Sequence, residues 1–565
     1  MLRPEKGLGV ISPPLTLPGE NLVAQHSRSQ FLFCALVLLS CGSTPPADSP
    51  AVLRLGWAGS PDALHPGRAV LSEAYTLFNL VYDSMFRLEM DGSFTPVLAR
   101  TWQAAEGGHT WTFALCSDFV FHDGHPLTAR DVAFSYNYYR GHADFPLLGT
   151  YTRAFAEASA PDDSTVVLRL REPVPDIQSL LVFLYVLPEH IWGAHAQDSR
   201  FADEKMVGSG PFMLREYQAD QFARLGANRR HPLFPPQVDE VILQTFANQD
   251  ALVQALRTGQ VELITEMPNT AVAPLRQVAG IQVVVGPPQP PETTNILINQ
   301  LHPAHCPPGS PCTGHPALRD LRVRQALAMA VDKQKLIEVV LLGMGIPGLT
   351  LIPEGLGRWY NSTLRDYPFD LEQAQELLDQ AGYRDGDGDG VRETPVGRPL
   401  EFRFNWPGDS PTAPRAAQLL AAMWKGIGVA TQLQSVDPDA LSAACCPGFD
   451  YDLILWAWDS DPDPGLLLGA MQGGRIPAGT NETGYAEPEY DALYQRQAIE
   501  LDPERRRQLV WEMQGLALRD VVYIVPYYAH RAQAYRTDHF TGWPADLPKV
   551  ALEHPAVLAV VRAAR

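Results

Sequence analysis

The chain has 565 residues, 45% of them hydrophobic and 19% charged, which marks a globular chain rather than a disordered one. It is too long for a single core, since cores stop growing near ~250–300 residues. Lys plus Arg number 44 against 64 Asp plus Glu, a formal charge of −20 with no basic run; this argues against nucleic acid and anionic membrane surfaces as partners and favours neutral or cationic ligands.

Residues 31–40 read FLFCALVLLS, with Arg28 just before them. The stretch is too short to span a bilayer but suits the apolar region of a secretory signal. It runs into Ser40-Cys41-Gly42, which looks like the cleavage and acylation site of a bacterial lipoprotein. The expectation is a signal over 1–40, lipidation at Cys41 and a Ser/Pro tether over 41–50. Residues 1–27 are long for the leading part of such a signal, which points to a start further downstream.

From there the elements alternate between strand and helix. Residues 51–57 alternate as a strand, and a helical pattern runs from Ser72 to about Phe86. Residues 110–122 read as a hairpin. A helix over 127–140 has Thr128 as N-cap and Asp131 three residues on, as in a capping box. A strand over 164–171 and a glycine turn with a strand pair over 207–225 follow. Then VDEVILQTF, NQDALVQALRTGQ and VELI form a strand–helix–strand unit whose helix ends at Gly259. Helices recur at 317–331, 370–381, 411–427, 488–500 and 503–519, and strands at 400–405, 451–456 and 521–528. The chain is therefore α/β, without internal repeats.

Several motifs invite chemistry. Gly343-Met344-Gly345-Ile346-Pro347-Gly348 matches a dinucleotide-binding pattern, but it follows a helix and carries Pro347 where a helix should start, so it reads as a turn. His122-Asp123-Gly124-His125 reads as an Asp-Gly turn before a capped helix. No nucleophile motif occurs, and no enzyme is expected. Cys306 and Cys312 close the loop CPPGSPC, flanked by His302, His305 and His315. A local disulfide is the plain reading and a Cys/His metal site the alternative. Cys445 and Cys446 are adjacent, and a bond between them requires a strained ring, so none is expected.

Asp385, Asp387 and Asp389 alternate with glycines, with Val391 and Glu393 after them. These match positions 1, 3, 5, 7 and 9 of a calcium loop. Val396 stands at position 12 in place of the usual bidentate Glu, so Glu393 would have to substitute. The alternatives are a structural Ca²⁺ or a solvated acidic turn; no other cofactor is expected. The stretch DLILWAWDSDPDP puts Trp456 and Trp458 on one strand face, followed by Asp459, Asp461 and Asp463. Aromatic walls beside a fixed carboxylate suit a cationic group such as a peptide α-ammonium, unless both tryptophans are core.

Eight phrases in order are LRLGWAGSPDALHP, LVYDSMFRLEMDGSFTPVLARTW, FHDGHPLTARDVAFSY, VGSGPFMLREY, ALRDLRVRQALAMAVDKQKLIEVVLLGMGIPG, DYPFDLEQAQELLDQAGY, YDLILWAWDSDPDP and NETGYAEPEYDALY. Together they resemble the family 5 (oligopeptide/dipeptide-binding) solute-binding proteins of ABC importers. The resemblance implies a two-lobed, periplasmic-binding-protein-like type II fold with an extra domain, a central hinge and a ligand cleft. Domain I would comprise 50–85, 207–295 and 530–565, the extra domain 86–206 and the second lobe 296–529. It implies Asp461 as partner of a peptide α-ammonium, with Asp459 or Asp463 as alternatives. Trp458 would line the pocket with Trp456, and Asn481 and Tyr485 would approach it from a second loop. The implied role is an exported, lipid-anchored monomer that delivers an oligopeptide or similar solute to an ABC permease. Within the family the solute could instead be a nickel complex, haem, an opine or a sugar; outside it, the rivals are an exported hydrolase or a calcium-dependent adhesin.

Overall fold

The computed structural model describes residues 50–476, 480–544 and 546–564. The expected signal, Cys41 and nearly all of the tether lie outside the described residues. No helix among those described is long and apolar enough to cross a membrane.

Two large sheets organise the protein. The first has seven strands in the order Ile281–Gly286, Arg531–Arg536, Leu263–Ile264, Val52–Trp57, Glu240–Thr245, Phe222–Ala227 and Phe212–Gln218. Val52–Trp57 runs parallel to both of its neighbours. The helix Gln249–Thr258 crosses between two of these strands. Asn248 caps it by accepting the Ala251 N–H, and Gly259 ends it at φ 75°, where glycine carries no Cβ penalty.

The second sheet has six strands in the order Gly345–Pro347, Tyr523–Ala529, Glu292–Ile298, Leu453–Asp459, Glu401–Pro407 and Ala430–Val436. The helix Ala413–Lys425 packs on it through Trp424, which is fully buried and donates its indole N–H to the Leu327 carbonyl at 3.0 Å. Truncating such a residue costs ~3–5 kcal/mol. A third, antiparallel sheet of four strands (Ala99–Ala105, Thr110–Leu115, Thr165–Leu170, Phe155–Asp162) lies within 86–206.

The chain passes between the two large sheets at two places. Residues 287–291, Pro-Pro-Gln-Pro-Pro, lead from Ile281–Gly286 into Glu292–Ile298. His530 alone separates Tyr523–Ala529 in one sheet from Arg531–Arg536 in the other. Arg531 pairs with Glu292 at 3.0 Å, so the two crossings touch. The boundary expected between 295 and 296 falls inside the strand Glu292–Ile298, which belongs wholly to the second sheet.

Local expectations and structure differ at three further places. The helix from Ser72 stops at Val81 rather than near Phe86. Gly210 approaches and donates its N–H to the Val81 carbonyl at 2.9 Å, and a Cβ on Gly208 would fall 2.0 Å from that oxygen. Thr110–Leu115 does not form a hairpin with the residues after it; it pairs with Ala99–Ala105 and Thr165–Leu170. The helix expected over 317–331 is a short turn, Pro316–Arg319, and then a helix Leu321–Met329 started by the Asp320 side chain. By contrast, the helix at 127–140 has the capping box expected from Thr128 and Asp131. Cys306 and Cys312 are disulfide-bonded. His302 and His315 beside them accept the N–H groups of Ala304 and Ala317, so their rings shape the loop.

A cavity between the sheets as candidate ligand site

A cavity of about 640 Å³ opens where the three sheet-bearing segments meet. The helix from Ser72 supplies Tyr75 and Asn79, and the segment 86–206 supplies Tyr151 and Phe183. The crossing 287–291 supplies Gln289, the end of the Trp-bearing strand supplies Trp458 and Asp459, and the turn after it supplies Ser460 and Asp461. Its size is that of a small-ligand pocket.

The three acids of the turn separate by their partners. Asp463 is bound at both carboxylate oxygens by Arg506, at 2.6 and 2.9 Å, and does not line the cavity. Asp459 stands across the strand pair from Glu292; burial and that carboxylate push its carboxyl up. Asp461 has no ion-pair partner among the described residues. Its Oδ1 accepts the Tyr151 hydroxyl at 3.0 Å, and burial pushes it above the usual carboxylate range.

The tryptophans also separate. Trp456 and Trp458 share a strand face, as alternation requires, but only Trp458 reaches the cavity wall. Trp458 donates its indole N–H to Glu482 at 3.1 Å. Both tryptophans pack against the same core cluster, but Trp456 is not among the residues that line the cavity. Asn481 and Tyr485 do not line the cavity either. Asn481 is fully buried: its amide donates to the Gln472 and Tyr485 carbonyls and accepts the Gly484 N–H, so it folds its own loop. Tyr485 donates its hydroxyl to Asp520. The residue this loop turns toward the site is Glu482, 6% exposed, whose carboxyl burial pushes up to about 8.

Sequence reasoning missed a second charge. Lys549 lines the cavity, is only 3% exposed, and has no ion-pair partner among the described residues. Burial lowers its ammonium to about 8, although nearby Asp91 favours the charged form. A buried Lys with no carboxylate at ion-pair distance is unusual enough to mark a site. The only sequence signal is a lone Lys in a Pro-rich stretch near the end of the chain. Gln289 Oε1 and Ser460 Oγ, both in the wall, are buried without a hydrogen-bond partner among the described residues. These are polar groups the protein leaves unused, where an unmet group costs ~1–3 kcal/mol.

The Asp-Gly loop lies apart from this cavity. Oxygens of Asp385, Asp387, Asp389 and Glu393 lie within 4.8 Å of one another. Each accepts a loop N–H: Asp385 those of Gly388 and Gly390, Asp387 that of Asp389, Asp389 that of Val391, and Glu393 that of Gly386. None is ion-paired among the described residues.

Residues 93–476 match the family described as bacterial extracellular solute-binding proteins, family 5 Middle. The chain is 25% identical over 497 residues to the di/tripeptide-binding protein 3 of Pseudomonas aeruginosa, a match that takes in 83% of this chain and 87% of that protein. Its fold is similar to the oligopeptide-binding protein AppA of Bacillus subtilis in complex with a nonapeptide (TM-score 0.67, 21% identity, 92% of this chain and 100% of that one). It is also similar to NikA of Brucella suis in complex with Fe(III)-EDTA (TM-score 0.74, 20% identity, 89% and 99%).

Proposed function

Since the chain belongs to the bacterial extracellular solute-binding proteins of family 5, we propose that it captures short peptides outside the cytoplasm and delivers them to an ABC permease. The observation that carries the peptide reading is that one cavity wall holds both the Asp461 carboxylate and the Lys549 ammonium, neither ion-paired among the described residues. A peptide is a zwitterion. Its α-ammonium suits Asp461, its α-carboxylate suits Lys549, and its main chain suits Gln289 and Ser460. Trp458, oriented by Glu482, gives an apolar wall for a side chain. Binding would draw together the two sheets joined at 287–291 and His530, and only contacts made better in the closed form would favour closure.

The role is binding, not chemistry. Lipid anchoring at Cys41 rests on the sequence motif, and a monomer needs no further surface. The Asp-Gly loop is proposed as a structural calcium seat, supported by its four convergent carboxylates. Native mass spectrometry of the protein purified without refolding tests the peptide reading. A ladder of masses matching short peptides is expected. A single anionic chelate would retain the fold's binding role, engage Lys549 and overturn the peptide assignment.

A further inference from the structure

Among the described residues Cys445 and Cys446 are free thiols, and their Sγ atoms lie 2.9 Å apart. That is within S–H···S reach and leaves no atom between the two sulfurs. Cys445 closes the helix Pro438–Cys445, and Cys446 is extended at φ −141°, ψ 123°. This change of backbone brings both sulfurs to one side, a placement that adjacency in sequence does not reveal.

The turn around them is tied down. Cys446 N–H donates to the Ser442 carbonyl, Phe449 N–H to Cys445 and Asp450 N–H to Ala444. Two more bonds come from the loop closed by Cys306–Cys312: Cys312 N–H to the Gly448 carbonyl and Thr313 N–H to Phe449. These main-chain bonds fix the backbone from which the two side chains project. Neither belongs to a group of metal-ligating side chains among the described residues.

We propose that Cys445 and Cys446 form a disulfide between adjacent residues in the protein outside the cytoplasm, where thiols are oxidised. Cys446 is half-buried and Cys445 buried, which sets the order of events. The Cys446 thiolate attacks a small disulfide oxidant, breaking its S–S bond, forming a mixed disulfide and releasing one thiol. Cys445 Sγ then attacks Cys446 Sγ and releases the second thiol. Two cysteine S–H bonds are lost and one S–S bond forms. Both protons and both electrons leave on the oxidant as two thiols. Burial and Cys446 raise the Cys445 thiol, which leaves Cys446 as the first nucleophile.

The closed ring would brace the turn that carries Tyr451, whose hydroxyl donates to the Glu482 carbonyl. Glu482 in turn holds the Trp458 indole in the cavity wall. The modification thus lies behind the ligand site, not in it.

The test is thiol labelling of the full chain, exported and purified without reductant. The protein is denatured in N-ethylmaleimide and cut with trypsin, and the peptide Gly426–Arg475 is weighed. The expected peptide carries no label, is lighter by two hydrogens than its reduced form, and takes two labels after reduction. Two labels without reduction, persisting after incubation with oxidised glutathione, would overturn the proposal. So would a stable glutathione adduct on Cys446, since it shows that Cys445 does not resolve it. The Cys445→Ser variant supplies the control: its peptide should retain one reactive thiol or one adduct. An unlabelled Cys446 in that variant would show that some group other than Cys445 blocks it and would also overturn the proposal.

Discussion

Tyr151 donates its hydroxyl to Asp461 at 3.0 Å across 310 residues of chain. One residue lies in the segment with the four-stranded sheet and the other in the turn after the Trp-bearing strand. The bond fixes one carboxylate oxygen and leaves the other for a ligand. Two residues away Asp463 is held by Arg506 at both oxygens. The pair of contacts explains why one aspartate of the turn can recognise a cation while its neighbour cannot.

Replacing Asp461 with Asn should weaken peptide binding by ~2–5 kcal/mol, because it leaves a desolvated ammonium unpaired. Tyr151→Phe should cost less, about 0.5–1.5 kcal/mol, since it removes one hydrogen bond and keeps the charge. Isothermal calorimetry with one peptide reads both. Equal affinity of wild type and Asp461→Asn would remove the aspartate from the site.

Lys549 should distinguish free peptides from their C-terminal amides. The wild type should prefer the free acid by tenfold or more, about 1.4 kcal/mol, and Lys549→Met should bind both forms alike. If the wild type already binds both alike, the lysine does not meet the carboxylate. If neither form binds, the peptide reading itself fails.

Glu482 gives a pH signature. Its carboxyl is raised from 4.5 to about 8 in the folded protein by burial, so the folded chain holds this proton more tightly than the unfolded chain. The contribution to stability is whole below pH 4.5, shrinks as pH rises from there and is lost above 8. Glu482→Gln should flatten this fall. Relative to wild type, the variant should gain on the order of 3–5 kcal/mol between pH 4 and pH 9. Chemical denaturation at the two pH values measures it, and parallel pH profiles would refute it.

Calcium should raise the melting temperature if the Asp385–Glu393 loop binds it, and EDTA should reverse the gain. At a free concentration a hundred times Kd the gain is about 2.7 kcal/mol. Asp387→Asn should reduce the shift. A melting curve indifferent to both additions would leave the loop as a hydrogen-bonded turn.

Cys41→Ala should move the protein from membranes to the soluble fraction if lipidation is its anchor. Fractionation of cells expressing each form reads the outcome, and unchanged membrane retention would contradict the lipoprotein motif.

The sequence by itself determined the elements whose signals are local. Thr128 with Asp131 marks a helix start and Gly259 a helix end because a cap acts within three or four residues. The strand Leu453–Asp459 and the face shared by its tryptophans follow from alternation, and the ordered phrases carried the family. Tertiary structure decided the site. Asn481 and Tyr485 matched a phrase of the family, yet Asn481 is spent on its own loop and the Tyr485 hydroxyl on Asp520. The resemblance put Asp461 first among three acids, with Asp459 and Asp463 as alternatives. They differ because Arg506, 43 residues on from Asp463, reaches only that one. Lys549 gained its meaning from a wall assembled out of distant segments. A side chain's ionisable group is set by its composition, but its freedom to bind a ligand is set by the burial and the partners that the fold brings to it.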